Sequence, residues 1–169
     1  FVKHKINAML VPFEQISSDA RVWVYMSDRE WNSNEAEIIK RSVQDFIIGW
    51  TAHEQPLEAS FVLRYNYFLI LAVDESKAGA SGCSIDKSVA LIQSLEQKLG
   101  LKLMNRMMFG YKKDGHVQVA TRDEFETLID NGIITDQTIV YDNLVDSVHA
   151  LNHRWEIPFE RSWHKVLVG

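Results

Sequence analysis

Alternating hydrophobic positions mark the first predicted strand of the chain. In residues 21–27 both sets of alternating side chains are apolar, with Val22, Val24 and Met26 on one face and Trp23 and Tyr25 on the other. A period of two in β-branched and aromatic residues predicts a β-strand. Because neither face is polar, we expect both faces of this strand to be covered.

Two later segments carry hydrophobic residues at helical spacing. The first follows candidate N-caps at residues 32–34 and contains Ile39, Val43, Phe46, Ile47 and Trp50. The second contains Ile85, Val89, Ile92, Leu95 and Leu99 and ends at Gly100. Glycine suits the left-handed C-terminal position of a helix. Both segments predict amphipathic helices that pack on a sheet.

The strands between and after these helices are predicted as two hairpins. Residues 58–65 and 67–74 predict an antiparallel pair with a tight turn at Asn66, which tolerates the positive φ of such a turn. Residues 107–113 and 116–121 predict a second pair, closed by Asp114 and Gly115. That dipeptide is favoured in two-residue type I′ turns.

The remainder of the chain predicts shorter elements. Thr121 and Glu124 form a capping box that begins a short helix, which ends at Asn131 and Gly132. A brief strand is expected at residues 138–141. A last helix is then predicted by Leu144, Val148, Leu151 and Trp155, and an irregular tail follows.

The order of elements up to Lys113 is strand, helix, strand, strand, helix, strand. This order predicts an α+β fold with a ferredoxin-like βαββαβ core and an antiparallel-rich sheet. Right-handed crossovers place both helices on one face of the sheet. We expect the C-terminal hairpin, helix, strand and helix to cover the other face. Residues 9–169 are predicted to form a single domain, and residues 1–8 an N-terminal extension.

Composition narrows the functional classes. The 169 residues are 46% hydrophobic and 24% charged, which is typical of globular proteins. A net charge of −5 disfavours nucleic acid and anionic membranes as partners. A single cysteine cannot form an intramolecular disulfide, and the longest apolar run, residues 68–73, is too short to cross a membrane. These features favour a cytoplasmic protein.

The segment from Asp74 to Asp86 predicts a ligand site, because small residues join a buried strand to a helix there. The free amides at such a helix start suit an anion. The expected ligand-binding residues are Asp74, Glu75, Ser81, Gly82 and Ser84. Each also has a plainer interpretation, since carboxylates are often solvated at strand ends, serines cap helices and glycines permit tight turns.

The same segment holds Cys83, the single cysteine of the chain. At the first turn of a helix a thiolate is stabilised, so Cys83 is a candidate nucleophile. The alternative is a small hydrophobe that fills the corner between strand and helix. His53 or His164 would be the base. His53 is equally explained as a favourable charge at a helix C-terminus.

The histidines do not predict a metal site. His149 and His153 lie four residues apart near the end of the last predicted helix, without an evident carboxylate partner. A surface pair explains this spacing, and one cysteine excludes a thiolate-rich zinc site. We predict no metal and no other cofactor.

Four segments carry a resemblance to a known family: Val22 to Tyr25 (VWVY), Trp50 to His53 (WTAH), the Asp74 to Asp86 loop, and Ser162 to Lys165 (SWHK). From about Met9 nearly to the C-terminus the chain resembles small bacterial proteins without an established activity, many of which are automatically labelled "ABC transporter ATPase". An ATPase of that kind needs a Gly-x-x-x-x-Gly-Lys-Ser/Thr loop. No glycine of this chain precedes a lysine, so we reject that activity.

Three functional hypotheses follow. The first is a module that binds a small anion or a carboxylate, from a ligand or a protein partner, through the loop of residues 74–86. The second is a thiol-dependent enzyme for acyl transfer or hydrolysis, with Cys83 as nucleophile and the loop amides as oxyanion donors. The third is a structural module for protein interaction that uses exposed aromatic surface. The sequence predicts neither the substrate nor the oligomeric state.

Overall fold

A computed structural model of the chain describes residues 10–168. The N-terminal extension predicted at residues 1–8 lies outside this part. The strands are β1 (Arg21–Met26), β2 (Thr51–Ala52), β3 (Gln55–Pro56), β4 (Glu58–Arg64), β5 (Phe68–Asp74), β6 (Met108–Lys113), β7 (His116–Thr121), β8 (Ile139–Tyr141) and β9 (Glu156–Pro158). The α-helices are α1 (Ser33–Ile48), α2 (Gly82–Leu99), α3 (Arg122–Asp130), α4 (Val148–Arg154) and α5 (Trp163–Val168), and 3-10 helices lie at Phe13–Gln15 and Phe159–Arg161.

Capping determines where the longer helices begin. Asn32, Ser81 and Thr121 each accept a hydrogen bond from the backbone three residues later, and the residue at that position bonds back to the cap. α2 ends at Gly100, whose φ of 62° is the left-handed conformation predicted from the sequence. These caps satisfy backbone groups that a helix cannot pair internally.

The fold is α+β, as predicted, and its sheets are antiparallel. Sheet one has the order β1-β5-β4, and sheet two has the order β7-β6-β8-β9. β2 and β3 form a separate two-stranded ribbon. In sheet one the central strand β5 pairs Phe68 with Met26 on one side and with Arg64 on the other.

The ferredoxin-like core is not confirmed. β1, β5 and β4 have the order of a split β-α-β unit, with the returning strand between two parallel ones. The predicted fourth strand, β6, instead pairs with β7 and β8 in sheet two. In sheet two, β6 pairs with β7, the strand that follows it directly in the sequence. Phe109 and Tyr111 of β6 are buried there against α3 and the C-terminal segment.

Sheet one is covered on both faces. Leu69, Leu71 and Val73 pack with α1 and α2. Phe68, Ile70 and Ala72 pack on the opposite face with side chains of the C-terminal third, including Tyr141 and Trp155. Every residue of the run 68–73 is fully buried. A continuous apolar run is therefore what this central strand requires.

The following segments also differ from the sequence-based expectation. The first predicted helix ends at Ile48 rather than continuing to Trp50, and a tight ribbon, β2 and β3, follows it. The tail predicted as irregular contains β9, a 3-10 turn and α5. Within residues 10–168, no helix combines the length and apolar character that a membrane span requires.

Candidate functional site

The loop of residues 74–86 ends in a closely bonded corner. Ser84 N donates to Ser81 Oγ at 3.1 Å, and Ser81 N donates to Ser84 Oγ at 2.7 Å. Trp50 Nε1 donates to the carbonyl oxygen of Ser84 at 2.9 Å in a buried position. The start of α2 is thereby anchored to the segment that follows α1. Ser84 is itself buried, so it serves this corner rather than an open surface.

The two carboxylates at the start of the loop, Asp74 and Glu75, bond to the backbone of the loop itself. Asp74 Oδ1 accepts from Ser76 N at 3.0 Å, and Glu75 Oε2 accepts from Ala80 N at 2.9 Å. The backbone hydrogen bond from Ser76 lowers the pKa of Asp74 below its ordinary value. Both carboxylates therefore stabilise the loop in this structure, and their ligand-binding role stays a prediction.

The corner presents the backbone amides of Gly82 and Cys83 and the thiol of Cys83. Within the described residues, neither backbone amide has a hydrogen-bond acceptor. Cys83 is exposed. The interpretation of Cys83 as a buried filler of the corner is therefore wrong. Its proposed role as nucleophile remains a prediction.

His53, the first of the two predicted bases, lies at the turn of the ribbon that is close to this corner in space. It is exposed at the turn between β2 and β3, with a positive φ of 50°. The bond from Trp50 to Ser84 brings this ribbon beside the beginning of α2. No hydrogen bond joins His53 to Cys83 among the residues that the structure describes.

His164, the other predicted base, lies in the core beside sheet two. Its imidazole is 1% exposed and stacks on Trp163 with ring centroids 3.9 Å apart. Nδ1 lies 3.1 Å from Ser162 Oγ. Burial lowers the pKa of His164 to about 4, so the ring is neutral at neutral pH. Within residues 10–168, neither its aromatic contacts nor its hydrogen bond involves the loop of residues 74–86.

His164 instead lines a cavity that sequence reasoning missed. This cavity has a volume of about 350 Å³. We call it the Arg106 cavity, and its lining residues are Val24, Met26, Leu103, Met104, Asn105, Arg106, Met108, Asn143, Leu144, Trp163 and His164. Most of these side chains are apolar, and three are methionines. The clustering of methionines at residues 104–108 was the one available signal in the sequence.

Arg106 gives this cavity its charge. Because His164 is neutral, Arg106 is the lining residue that is charged at neutral pH. Its side chain is exposed and forms no ion pair with any residue in the range 10–168. Burial raises the pKa of Tyr25, and the nearby positive charge of Arg106 opposes that rise. The cavity thus combines a mostly apolar lining with an exposed cation that has no ion-pair partner among the described residues.

A second cavity of about 340 Å³ has a polar lining that includes Tyr65, Lys112 and Tyr141. Tyr65 OH donates to Glu156 Oε2, and Lys112 Nζ bonds to Glu156 Oε1, both at 3.1 Å. The hydroxyl of Tyr141 is buried and has no hydrogen-bond partner in the described structure. Since Lys112 and Glu156 neutralise each other, this cavity offers no uncompensated cation of the kind that Arg106 supplies.

The histidine pair of α4 stands apart from both cavities. The rings of His149 and His153 stack with centroids 4.2 Å apart, and both side chains are exposed. His153 Nδ1 lies 2.7 Å from the carbonyl oxygen of His149. Residues 10–168 contain no group of three or more His, Cys, Asp or Glu side chains placed to hold a metal ion.

The chain was compared with three sets of known proteins. Comparison of the chain with family models, with curated proteins and with solved structures finds no match in any of the three. The resemblance to small bacterial proteins at residues 22–25, 50–53, 74–86 and 162–165 stays a prediction.

Proposed function

We propose that this protein binds a small amphipathic carboxylate in the Arg106 cavity. The observation that carries the proposal is the guanidinium of Arg106, which lines an otherwise apolar or neutral cavity and has no ion-pair partner among the described residues. A carboxylate would pair with the guanidinium, and the apolar part of the ligand would displace water from the interior. The sequence predicted binding of a small anion or a carboxylate through the loop of residues 74–86, whereas we assign carboxylate binding to the Arg106 cavity.

The size and lining of the cavity support a small ligand. Its volume of about 350 Å³ lies near the lower end of the range usual for small-molecule sites. Met26, Met104 and Met108 are flexible and polarisable, so they adapt to apolar groups of different shape. We therefore expect broad tolerance for the apolar part of the ligand and a strict requirement for its negative charge.

Isothermal titration calorimetry with octanoate tests the proposal. Arg106→Gln should weaken octanoate binding roughly tenfold, since a charge-assisted hydrogen bond is lost at a partly solvated position. Arg41→Gln is the matched control, because Arg41 is an exposed arginine of α1 that does not line the cavity. Equal affinity of the Arg106 variant and the wild type, or no binding of octanoate by the wild type, would exclude this function.

The exposure of Cys83 favours a second candidate function. Cys83 and the amide of Gly82 lie at the start of α2, and the ribbon that carries His53 lies beside that start. We keep the predicted thiol-dependent acyl transfer or hydrolysis for this corner.

The reactivity of the thiol tests this second function. Iodoacetamide should alkylate Cys83 at pH 7 at least tenfold faster than it alkylates glutathione. His53→Gln should slow that reaction, whereas His116→Gln, at the exposed first residue of β7, should not. A rate equal to that of glutathione would remove the enzyme hypothesis.

Both candidate functions suit a protein of the cytoplasm, where a free thiol stays reduced. This location remains the prediction made from the single cysteine and from the short length of the longest apolar run.

A further inference from the structure

β1 is an edge strand of sheet one, and one of its edges faces away from β5. Ser27 N donates to Tyr67 O at 2.7 Å. In an antiparallel pair the backbone groups alternate in direction, so the odd-numbered residues of β1 bond to β5. The even-numbered residues direct theirs to the opposite side. Accordingly, Val22 N donates to Asp146 O at 3.0 Å, outside sheet one.

The backbone groups of Val24 and Met26 have no described partner on that side, and the one side-chain contact printed there is from Asn143 Nδ2 to Met26 Sδ at 3.5 Å. Within residues 10–168, neither the N–H nor the C=O of either residue forms a hydrogen bond. Both residues are buried, at 3% and 7% exposure. Buried backbone groups are nearly always paired, because an unpaired group loses its bonds to water. Four backbone polar groups on this short edge are therefore available to a partner that supplies both donors and acceptors.

The two ends of this edge are already occupied. Residues 146–148 lie along the beginning of β1, where Val148 N donates to Ala20 O at 3.0 Å. Beyond the other end, Asp28 N donates to Lys102 O at 3.1 Å. The open part is limited to the neighbourhood of Val24 and Met26. It is the position in which a ferredoxin-like sheet would place its fourth strand.

The Arg106 cavity lies along this open edge. Val24 and Met26 line it, together with side chains from both sides of sheet one. Leu103 and Met104 belong to the side that packs with α1 and α2, and Met108 belongs to the opposite side. The cavity thus surrounds the edge of β1 rather than one face of the sheet.

We infer that the ligand of the Arg106 cavity is a short extended peptide segment with one acidic residue, which adds to the edge of β1. This inference rests on the proposed function and names its ligand class. A peptide backbone supplies both donors and acceptors, and the edge requires both. A simple fatty acid supplies only acceptors, so it leaves the C=O groups of Val24 and Met26 unpaired. The acidic side chain would pair with Arg106.

The open edge suits a segment of only a few residues. Residues 24–26 extend over about 7 Å at the rise of a β-strand, which corresponds to about three residues of a partner. Alternate side chains of that partner would enter the methionine-lined space. The arrangement favours Leu, Ile or Val at those positions.

The experiment uses the full chain and four probes. These are N-acetylated, C-amidated tetrapeptides of Leu and Val in which one Glu occupies each position in turn. For the peptide that binds best by calorimetry, each amide is then N-methylated singly. We expect methylation at alternate positions to weaken binding about tenfold or more, and methylation at the intervening positions by less than about threefold, because only alternate amides face β1.

Amide hydrogen exchange provides a second readout. Bound peptide should slow exchange at the amides of Val24 and Met26 about tenfold or more. The amides of Trp23 and Tyr25 already bond to β5, so they are internal controls. Replacing Glu by Gln in the peptide should weaken binding to the wild type but not to Arg106→Gln.

The results separate the inference from the proposed function. If octanoate binds and none of the four peptides does, the inference is overturned and the proposed function stands. Equal effects of N-methylation at all positions, or unchanged exchange at Val24 and Met26 with peptide bound, would also overturn it. Failure of both octanoate and peptides to bind would overturn both proposals.

Discussion

At the scale of single residues, His164 links stability to pH. The unfolded chain protonates this imidazole near its ordinary pKa of 6.5, whereas burial lowers the pKa of the folded protein to about 4. The unfolded state therefore binds more protons between these values. The contribution of the neutral, buried imidazole of His164 to the stability of the folded protein is complete above pH 6.5 and is lost as the pH falls towards 4. The full loss amounts to about 3 kcal/mol.

Urea unfolding of the wild type and of His164→Gln checks this expectation. The variant lacks the titrating group, so the difference in free energy of unfolding between the two proteins should shrink by up to about 3 kcal/mol from pH 7.5 to pH 4. His116→Gln is the matched control, because His116 is exposed on β7. A pH-independent difference between the wild type and His164→Gln would contradict the assigned burial.

Tyr141 provides a second prediction at this scale. Its hydroxyl is buried without a hydrogen-bond partner in the described structure. Burial raises the pKa of Tyr141, so the group stays protonated at any ordinary pH. Tyr141→Phe should stabilise the protein by about 1 kcal/mol, since it removes an unsatisfied polar group and keeps the ring. Thermal and urea unfolding measure this change.

Tyr65→Phe is the control for Tyr141→Phe, because it removes the hydrogen bond from Tyr65 to Glu156 and should not stabilise the protein. If Tyr141→Phe were less stable than the wild type, the Tyr141 hydroxyl would have a hydrogen-bond partner in solution.

At the scale of elements, the capping box at the start of α2 allows a direct test of how a local hydrogen-bond pattern stabilises a helix. Ser81 accepts from Ser84 N, and Ser84 accepts from Ser81 N. Ser81→Ala should lower the free energy of unfolding by about 1 kcal/mol. Ser94→Ala, at an exposed interior position of the same helix, should have no effect or be slightly stabilising. Chemical denaturation compares the two, and equal effects would mean that the cap does not determine the stability of α2.

The elements that could be predicted from the sequence have a strong local signal. α1, α2 and the two hairpins combine a clear period with a cap or a turn dipeptide, and they form close to their predicted bounds. β2 and β3 have only two residues each and no hydrophobic period. β9 has three residues, and its pairing with β8 is a tertiary contact that no local pattern encodes. The destination of β6 was unpredictable for the same reason, since strand pairing depends on competition between edges.

The candidate sites differ in the same way. The corner at Cys83 is contiguous in sequence, so it could be located, although the exposure of the thiol could not. The Arg106 cavity combines residues from β1, from the segment before β6 and from the C-terminal helix. Val24 and Trp163 are far apart in the chain, and no spacing rule brings them together. His164 was selected as a base for Cys83, but it belongs to this second set.

At the scale of the whole molecule, sheet one joins the two halves of the chain. α1 and α2 cover one face, and α4 packs on the other, where Leu151 is buried in the cluster that contains Phe68 and Ile70. Since β5 contributes side chains to both clusters, disruption of one face should destabilise the other. The predicted single domain should therefore unfold in one cooperative transition.

Leu151→Ala tests this coupling. The substitution should lower the free energy of unfolding by about 2–5 kcal/mol, because it leaves a cavity in a closely packed cluster. A maleimide fluorophore on the exposed Cys83 reports on α2, while far-UV circular dichroism reports on the whole chain. Both urea midpoints should fall together, and Val166→Ala, at a residue that is 88% exposed, should leave both unchanged. If the fluorophore kept the wild-type midpoint while the dichroism midpoint fell, the C-terminal third would be a separate folding unit, because α2 would then be stable without the packing of α4 on sheet one.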